Sequence, residues 1–140
     1  MAEIGKPAAD IGFNVTDLDG QRRFYGELLG LPHVGQLKLP HAQLHFYACG
    51  ESLLKLYGMN DLEPPLPAER TRTGLAYVTV NVRDLDATFA TLEQAGVTIL
   101  QPVTEFDAGI TLPPPIGRVR ARYAMVADAD GNRVELMEKA

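Results

Sequence analysis

The sequence predicts an α+β fold made of two pseudo-symmetric βαβββ modules whose sheets curve around a shared cup. The first observation is a repeat: the letters NVTDLD at residues 14–19 return, with one change, as NVRDLD at residues 81–86. The second is that period-two alternation precedes each copy and helical spacing follows it. The third is that each half then holds three strand-like segments, so neither half alone has enough surface to bury its own sheet.

The first strand and the helix start of each module come from the repeat and its flanks. Apolar and polar residues alternate in DIGFNV, residues 10–15, and in YVTVNV, residues 77–82, which predicts a half-buried strand in each module. Asp17 and Asp84 then stand at predicted helix N-caps, because a short carboxylate accepts a hydrogen bond from the first helical turn. The next acidic residue in each copy adds negative charge where the helix dipole favours it.

Each predicted helix carries an apolar stripe and ends at a glycine. The stripe residues share a helical spacing; they are Leu18, Phe24, Tyr25, Leu28 and Leu29 in the first copy and Leu85, Phe89 and Leu92 in the second. Such a stripe predicts a helix packed by one side on a sheet. Gly30 and Gly96 predict the helix ends, because glycine adopts the left-handed conformation that closes a helix.

Three strand-like segments complete each module. They are HVGQLKL, AQLHFYA and SLLKLYG in the first half and TILQPVT, RVRARYAMVA and RVELME in the second. The turn DADGN, residues 128–132, separates the last two and predicts a hairpin. Residues 104–118, TEFDAGITLPPPIGR, lack a clear period, which predicts a loop beside the cup that is either a lid or a rigid surface segment.

The boundaries follow from these elements. The first module is expected at residues 7–58 and the second at residues 74–140, inside a single domain of 140 residues. Residues 59–73 are the predicted linker, since they are rich in proline and polar residues.

Composition narrows the class of protein. The apolar fraction of 46% and the charged fraction of 22% are ordinary for a globular domain. A net charge of −5 argues against a nucleic-acid partner, which favours a basic surface. No stretch is apolar enough for a membrane span or a signal peptide. The single Cys49 excludes an internal disulfide, so the expected compartment is the cytoplasm.

Two motifs carry a resemblance to a known family. The stretch NVTDLDGQRRFYGELLGL, residues 14–31, resembles the opening of a module of the vicinal oxygen chelate superfamily, which includes glyoxalases, bleomycin-resistance proteins and extradiol dioxygenases. The stretch DADGNRVELME, residues 128–138, is similar to the closing motif of that module, with Ala129 in place of a proline. The resemblance implies the paired βαβββ fold, a ligand in the cup and, in many members, a divalent metal. It also implies a homodimer.

The resemblance assigns four positions to metal ligands. They lie on the first and last strand of each module and carry Asp10, Lys55, Tyr77 and Glu135 here. Divalent metals favour imidazole and carboxylate ligands, whereas this set has no histidine and includes an ammonium group. No metal and no other cofactor is therefore expected. Instead, the ammonium of Lys55 is expected near the place of the metal, within hydrogen-bond reach of Asp10 or Glu135.

Strand alternation selects the side chains that face the predicted cup. The candidate acid–base residues are Asp10, Lys55, Tyr77, Glu135 and His45. The candidate ligand-binding residues are Asn14, Tyr47, Leu53, Tyr57, Thr79, Asn81, Arg133 and Met137. Such a mixture suits a small organic ligand, because buried polar groups are costly unless they are satisfied. His45 has an alternative interpretation, a structural histidine bonded to a neighbour.

Three functions remain open from the sequence. The first is a protein similar to bleomycin-resistance proteins that binds a small organic molecule without a metal. The second is a metal-independent isomerase, epimerase, lyase or cyclase that uses acid–base residues in the same cup. A metal-dependent lyase or dioxygenase is third, because the ligand positions disfavour it.

Overall fold

A computed structural model describes Glu3 and residues 9–63 and 73–139 of the chain. The chain divides into two compact units, Met1–Leu66 and Pro67–Ala140. Each unit holds one four-stranded sheet of mixed direction. The predicted α+β class and the paired βαβββ modules are therefore confirmed, while the shared cup stays a prediction. No helix in the described ranges is long and apolar enough to cross a membrane.

The first unit follows the predicted order of elements. Its elements are β1 (Ile11–Val15), α1 (Leu18–Arg22), a π-helical segment (Arg23–Leu28), β2 (His33–Lys38), β3 (Ala42–Cys49) and β4 (Ser52–Met59). The strand order in the sheet is β1-β4-β3-β2. Strands β1 and β4 run parallel, and the other neighbours run antiparallel.

The second unit repeats this layout. Its elements are β5 (Val78–Asn81), α2 (Leu85–Gln94), β6 (Ile99–Leu112), β7 (Gly117–Ala127) and β8 (Arg133–Lys139). The strand order is β5-β8-β7-β6, again with one parallel pair, β5 and β8. The turn between β7 and β8 is the predicted DADGN segment, where Asp128 Oδ1 accepts hydrogen bonds from two backbone amides of the turn.

Both predicted helix N-caps are confirmed. Asp17 Oδ1 accepts a hydrogen bond from the backbone N–H of Gly20 at 2.9 Å, and Asp84 Oδ1 accepts one from Ala87 at 2.9 Å. Each bond satisfies an amide at the helix start that has no partner within the helix.

The glycines that follow the helices have the expected conformation. Gly30 has φ 74° and Gly96 has φ 77°, in the left-handed region that glycine enters at little cost. The first helix differs from the expected regular α-helix, because its second half widens into a π-helix over Arg23–Leu28. The backbone N–H of Leu29 donates to the carbonyl of Phe24, five residues earlier, which gives the wider turn.

Strand register defines two faces in each sheet. The helix face carries the buried apolar side chains, such as Leu54 and Leu56 in the first unit and Val134 and Leu136 in the second. We call the opposite side of each sheet its far face. Residues on neighbouring strands that are paired in register share a face.

The two units match position by position on their far faces. In the first unit Asn14 pairs with Tyr57, and in the second Asn81 pairs with Met137. Lys55 pairs with Gly12 two residues before Asn14, as Glu135 pairs with Thr79 two residues before Asn81. Asn14 and Asn81 therefore occupy equivalent positions, and so do Lys55 and Glu135, as the repeat predicts.

The predicted loop at residues 104–118 is wrong. Strand β6 runs on to Leu112 and β7 begins at Gly117, so only a short turn lies between them. The sequence shows no clear period-two alternation here, because Gly109 adopts φ 71° and the strand register shifts between Asp107 and Thr111. Asp107 Oδ1 accepts a hydrogen bond from the N–H of Gly109 at 2.9 Å, which holds the bulge. The segment is a long hairpin and not an irregular loop.

Candidate functional site

The far face of the first sheet places Lys55 beside Asp10. Asp10 Oδ1 accepts a hydrogen bond from the backbone N–H of Leu53 at 2.8 Å, which orients the carboxylate. Lys55 Nζ lies 4.0 Å from Asp10 Oδ2, and the two side chains are 31% and 32% exposed. The two groups therefore form a partly solvated ion pair and not the hydrogen bond that the sequence suggested.

Apolar side chains extend this face onto β3. Leu44 pairs with Tyr57 and Phe46 pairs with Lys55, so both lie on the far face together with Asn14 and Leu53. Sequence reasoning missed Leu44 and Phe46 because they belong to the wholly apolar parity of AQLHFYA, which alternation assigns to the core side of a sheet and not to a site face. The far face thus joins an ammonium, a carboxylate and an amide to aromatic and aliphatic surface.

The prediction that Tyr47 and His45 face the same side as Lys55 is wrong. Tyr47 pairs with Leu54 and His45 pairs with Leu56, so both lie on the helix face. Tyr47 is 2% exposed, and its hydroxyl oxygen accepts a hydrogen bond from Arg22 Nε at 3.4 Å. Because successive residues of a strand point to opposite sides, this one difference of parity moves both side chains away from the predicted site.

His45 instead forms a pair with His33. Nδ1 of His45 lies 3.0 Å from Nε2 of His33, a distance at which one ring donates a hydrogen bond to the other. His45 is 4% exposed, and burial is the main reason why its pKa lies below the usual value. The charges of Arg22 and His33 lower this pKa further. The structural interpretation of His45 fits these contacts, and an acid–base role at the far face does not.

The far face of the second sheet presents Glu135 and its neighbours. Thr79 Oγ1 donates a hydrogen bond to Glu135 Oε1 at 2.9 Å, across the parallel pair of β5 and β8. Asn81 pairs with Met137 on the same face, and Tyr77 directly precedes β5 with 48% of its surface exposed. The second sheet therefore offers a carboxylate, a hydroxyl, an amide and a phenol.

A cavity of about 300 Å³ lies beside these groups in the second unit. Its lining consists of three apolar or aromatic side chains, an amide and a guanidinium: Leu100, Met125, Tyr123, Gln101 and Arg133. Only Arg133 was predicted from the sequence. The signal for Tyr123 and Met125 was present in the alternation of β7, but their side of the sheet follows only from the pairing with Met137 and Glu135.

The four positions of the expected metal ligands do not fit a divalent cation. A charged ammonium has no lone pair to donate, and phenol is an uncommon ligand. Asp10 is held by Leu53 and lies near Lys55, while Glu135 is held by Thr79. Within the described ranges, no three histidine, cysteine, aspartate or glutamate side chains are placed to hold a metal ion.

The thiol of Cys49 does not extend this chemistry. Cys49 is the last residue of β3 and is half-buried. Burial raises the pKa of its thiol, so the reactive thiolate is disfavoured at neutral pH.

Comparisons with known proteins identify relatives of the chain. The family model described as Glyoxalase/Bleomycin resistance protein/Dioxygenase superfamily matches residues 8–136. No curated protein matches the chain significantly in sequence.

Solved structures show the same fold. The glyoxylase/bleomycin resistance protein/dioxygenase domain from Frankia sp. EAN1pec superposes with a TM-score of 0.72 at 20% identity, over 94% of this chain and 96% of that chain. The glyoxalase family protein from Enterococcus faecalis gives 0.70 at 20% identity, over 92% and 94%. The trypanothione-dependent glyoxalase I of Leishmania major gives 0.66 at 20% identity, over 93% and 84%.

Proposed function

The chain belongs to the Glyoxalase/Bleomycin resistance protein/Dioxygenase superfamily, and from this premise we propose that it binds a small organic molecule at the far faces of its sheets without a divalent metal. Binding without chemical turnover is the function that we favour. The fold itself does not decide this, because one fold hosts several chemistries.

The ion pair of Lys55 and Asp10 is the observation that carries the proposal. An ammonium group stands at a position where the resemblance expects a metal ligand, and its Nζ lies 4.0 Å from the carboxylate oxygen at another such position. A bound cation at this place would be repelled by Lys55 and would compete with it for Asp10. The polar and apolar mixture on the same face suits an organic ligand.

The position of His45 supports binding over turnover. An imidazole is the side chain most readily used for proton transfer near neutral pH. Here His45 lies on the helix face, bonded to His33, so this candidate acid–base group is absent from the proposed binding face.

A metal-independent isomerase, epimerase, lyase or cyclase is the second candidate. The adjacency of Lys55 and Asp10 favours it, because an ammonium and a carboxylate on one face form an acid–base pair. Tyr77 and Glu135 would supply the corresponding groups of the second unit. The two candidates differ in one observable: a bound compound is recovered unchanged if the protein only binds it.

The test combines metal analysis with a ligand screen. Purified protein is analysed for zinc, iron, manganese, nickel and copper, and its melting temperature is measured with and without a chelator and against a panel of hydrophobic metabolites and antibiotics. We expect substoichiometric metal, no effect of the chelator and a rise in melting temperature with at least one organic compound. Stoichiometric metal that is lost in Glu135→Gln would contradict the proposal.

A homodimer in the cytoplasm completes the proposal. The resemblance supports the dimer, and the single cysteine together with the acidic net charge of −5 supports a reducing compartment and a small-molecule partner in place of nucleic acid. Light scattering at micromolar concentration tests the dimer, which a monomeric mass would refute.

A further inference from the structure

A β-bulge supplies two of the residues that line the cavity in the second unit. Ile99 pairs with Val126, and Gln101 pairs with the adjacent residue of β7, Met125. Two steps along β6 thus correspond to one step along β7, so Leu100 is an extra residue in β6. In a regular strand, two consecutive side chains point to opposite sides of the sheet. The bulge brings Leu100 and Gln101 to the same cavity, and bulges of this kind are common where a site needs a re-aimed side chain.

One wall of the cavity combines an aromatic ring, a thioether and an aliphatic side chain. Tyr123 and Met125 alternate along β7 on the far face, and Leu100 closes the wall from β6. The ring of Tyr123 packs edge-on against Phe106 with centroids 6.4 Å apart and an interplanar angle of 90°. A planar conjugated ligand suits this wall, because it can stack on the ring of Tyr123 and contact the sulfur of Met125.

Two polar groups stand at the edge of this wall. Gln101 Nε2 donates a hydrogen bond to Thr104 Oγ1 at 3.0 Å, and Thr104 Oγ1 in turn donates to the carbonyl of Pro102 at 2.8 Å. The chain of bonds orients the amide of Gln101, so its carbonyl oxygen is the atom left to accept a hydrogen bond from a ligand. Arg133 supplies the cationic group of the cavity.

The surroundings of Arg133 favour one carboxylate. Its cross-strand neighbour on β7 is the small Ala127, and a guanidinium has five N–H donors, so it holds an internal contact and a ligand carboxylate together. Glu135 lies two residues further on the same face and keeps a negative charge near the cavity. Among the residues that the structure describes, Arg133 is the one cationic side chain of the lining and can balance one carboxylate, whereas further negative charges on a ligand would meet the repulsion of Glu135 without a second cation to offset it.

We propose that this cavity binds a small planar organic acid, with one carboxylate on Arg133 and a conjugated body on Tyr123 and Met125. A hydroxyl or N–H on the body of the ligand donates to the carbonyl oxygen of Gln101. The inference rests on the proposed function, because it names the class of ligand for the far face of the second sheet.

Three probes of matched shape test the class of ligand. Cinnamate carries the carboxylate, cinnamamide is its neutral analogue, and the ammonium of cinnamylamine reverses the charge. Titration calorimetry on the full chain should give a dissociation constant for cinnamate at least about tenfold lower than for cinnamamide, since a charged hydrogen bond contributes more than a neutral one. The amine should bind most weakly.

Two variants assign the preference to Arg133. Arg133→Gln should raise the dissociation constant of cinnamate about tenfold or more and leave that of cinnamamide within about twofold. Arg120→Gln is the matched control, because it removes the same charge from β7 at a residue that does not line the cavity; it should leave both constants within about twofold. Arg133→Lys keeps the charge without the planar fork and should give an intermediate loss.

The outcomes separate this inference from the proposed function. Equal binding of the acid and the amide, or a loss in Arg120→Gln as large as in Arg133→Gln, would overturn the assignment to Arg133 while a small-molecule function stands. Failure of all three probes to bind also overturns the inference. The proposed function fails on different results: stoichiometric metal dependent on Glu135, or no response to any compound of the broader screen.

Discussion

Replacing His33 with alanine is expected to destabilise the protein although His33 itself is exposed. The partner ring of His45 is 4% exposed, and its Nδ1 lies 3.0 Å from Nε2 of His33. Removal of His33 takes away this hydrogen bond and leaves a buried ring nitrogen without it. We expect a loss of about 1–3 kcal/mol in the free energy of unfolding, the usual cost of such a buried polar group.

The same pair gives the protein a dependence of stability on pH. Burial, Arg22 and His33 lower the pKa of His45 from its usual value of 6.5. Between the two pKa values the unfolded chain binds more protons at this site than the folded chain, so the free energy of unfolding falls as the pH falls below about 6.5. Above that pH both states are neutral at His45, and its contribution to stability is fully present.

Urea denaturation between pH 5 and pH 8 measures both effects. His41→Ala is the control, because His41 is an exposed histidine outside the pair and a surface substitution typically changes stability by less than about 0.5 kcal/mol. His45→Gln should remove the part of the pH dependence that belongs to this site. Equal stability of His33→Ala and His41→Ala, or an unchanged pH dependence in His45→Gln, would refute the reasoning.

Three further substitutions test the described contacts by chemical denaturation. Lys55→Met should lower the free energy of unfolding by less than about 1 kcal/mol, because Lys55 and Asp10 are about one-third exposed and form an ion pair at 4.0 Å. A decrease near 3 kcal/mol would indicate a buried cluster and contradict this expectation. Asp84→Ala should lower the free energy of unfolding by about 1 kcal/mol, because it removes the hydrogen bond that caps the helix. An unchanged free energy of unfolding would contradict that role. Gly26→Ala should lower the free energy of unfolding by about 1–3 kcal/mol, because the new Cβ would lie 2.9 Å from Cε1 of the buried Tyr47. An increase in the free energy of unfolding would show that the ring moves freely.

The parts of the fold that the sequence predicted are those set by local chemistry. The helix caps at Asp17 and Asp84 involve residues three positions apart, and the glycine stops depend on one backbone conformation each. The faces of β1 and β5 were also predictable, because those strands alternate between apolar and polar residues. In β4 and β8, a charged residue, Lys55 or Glu135, stands between two apolar residues of the core parity. The equivalence of Lys55 and Glu135 follows from the same alternation.

The parts that escaped prediction depend on pairing between distant segments. In β3, alternation makes the apolar Leu44 and Phe46 the expected core side, and only the pairing of Tyr47 with Leu54 shows that the other parity lies on the helix face. In β6, the bulge at Leu100 has no residue signature of its own, since neither glycine nor proline occupies that position. The bulge brings both Leu100 and Gln101 to the cavity beside Arg133, so alternation within one strand could not predict that lining.

The two carboxylates at the expected ligand positions are each satisfied within their own unit. Asp10 accepts from the backbone of Leu53 and lies 4.0 Å from the ammonium of Lys55, and Glu135 accepts from the hydroxyl of Thr79. A divalent cation would have to displace these contacts and overcome the charge of Lys55, whereas an organic ligand with polar groups can use them as they stand. This difference in cost is the physical reason why we propose an organic ligand, and not a metal ion, for the residues at the expected ligand positions.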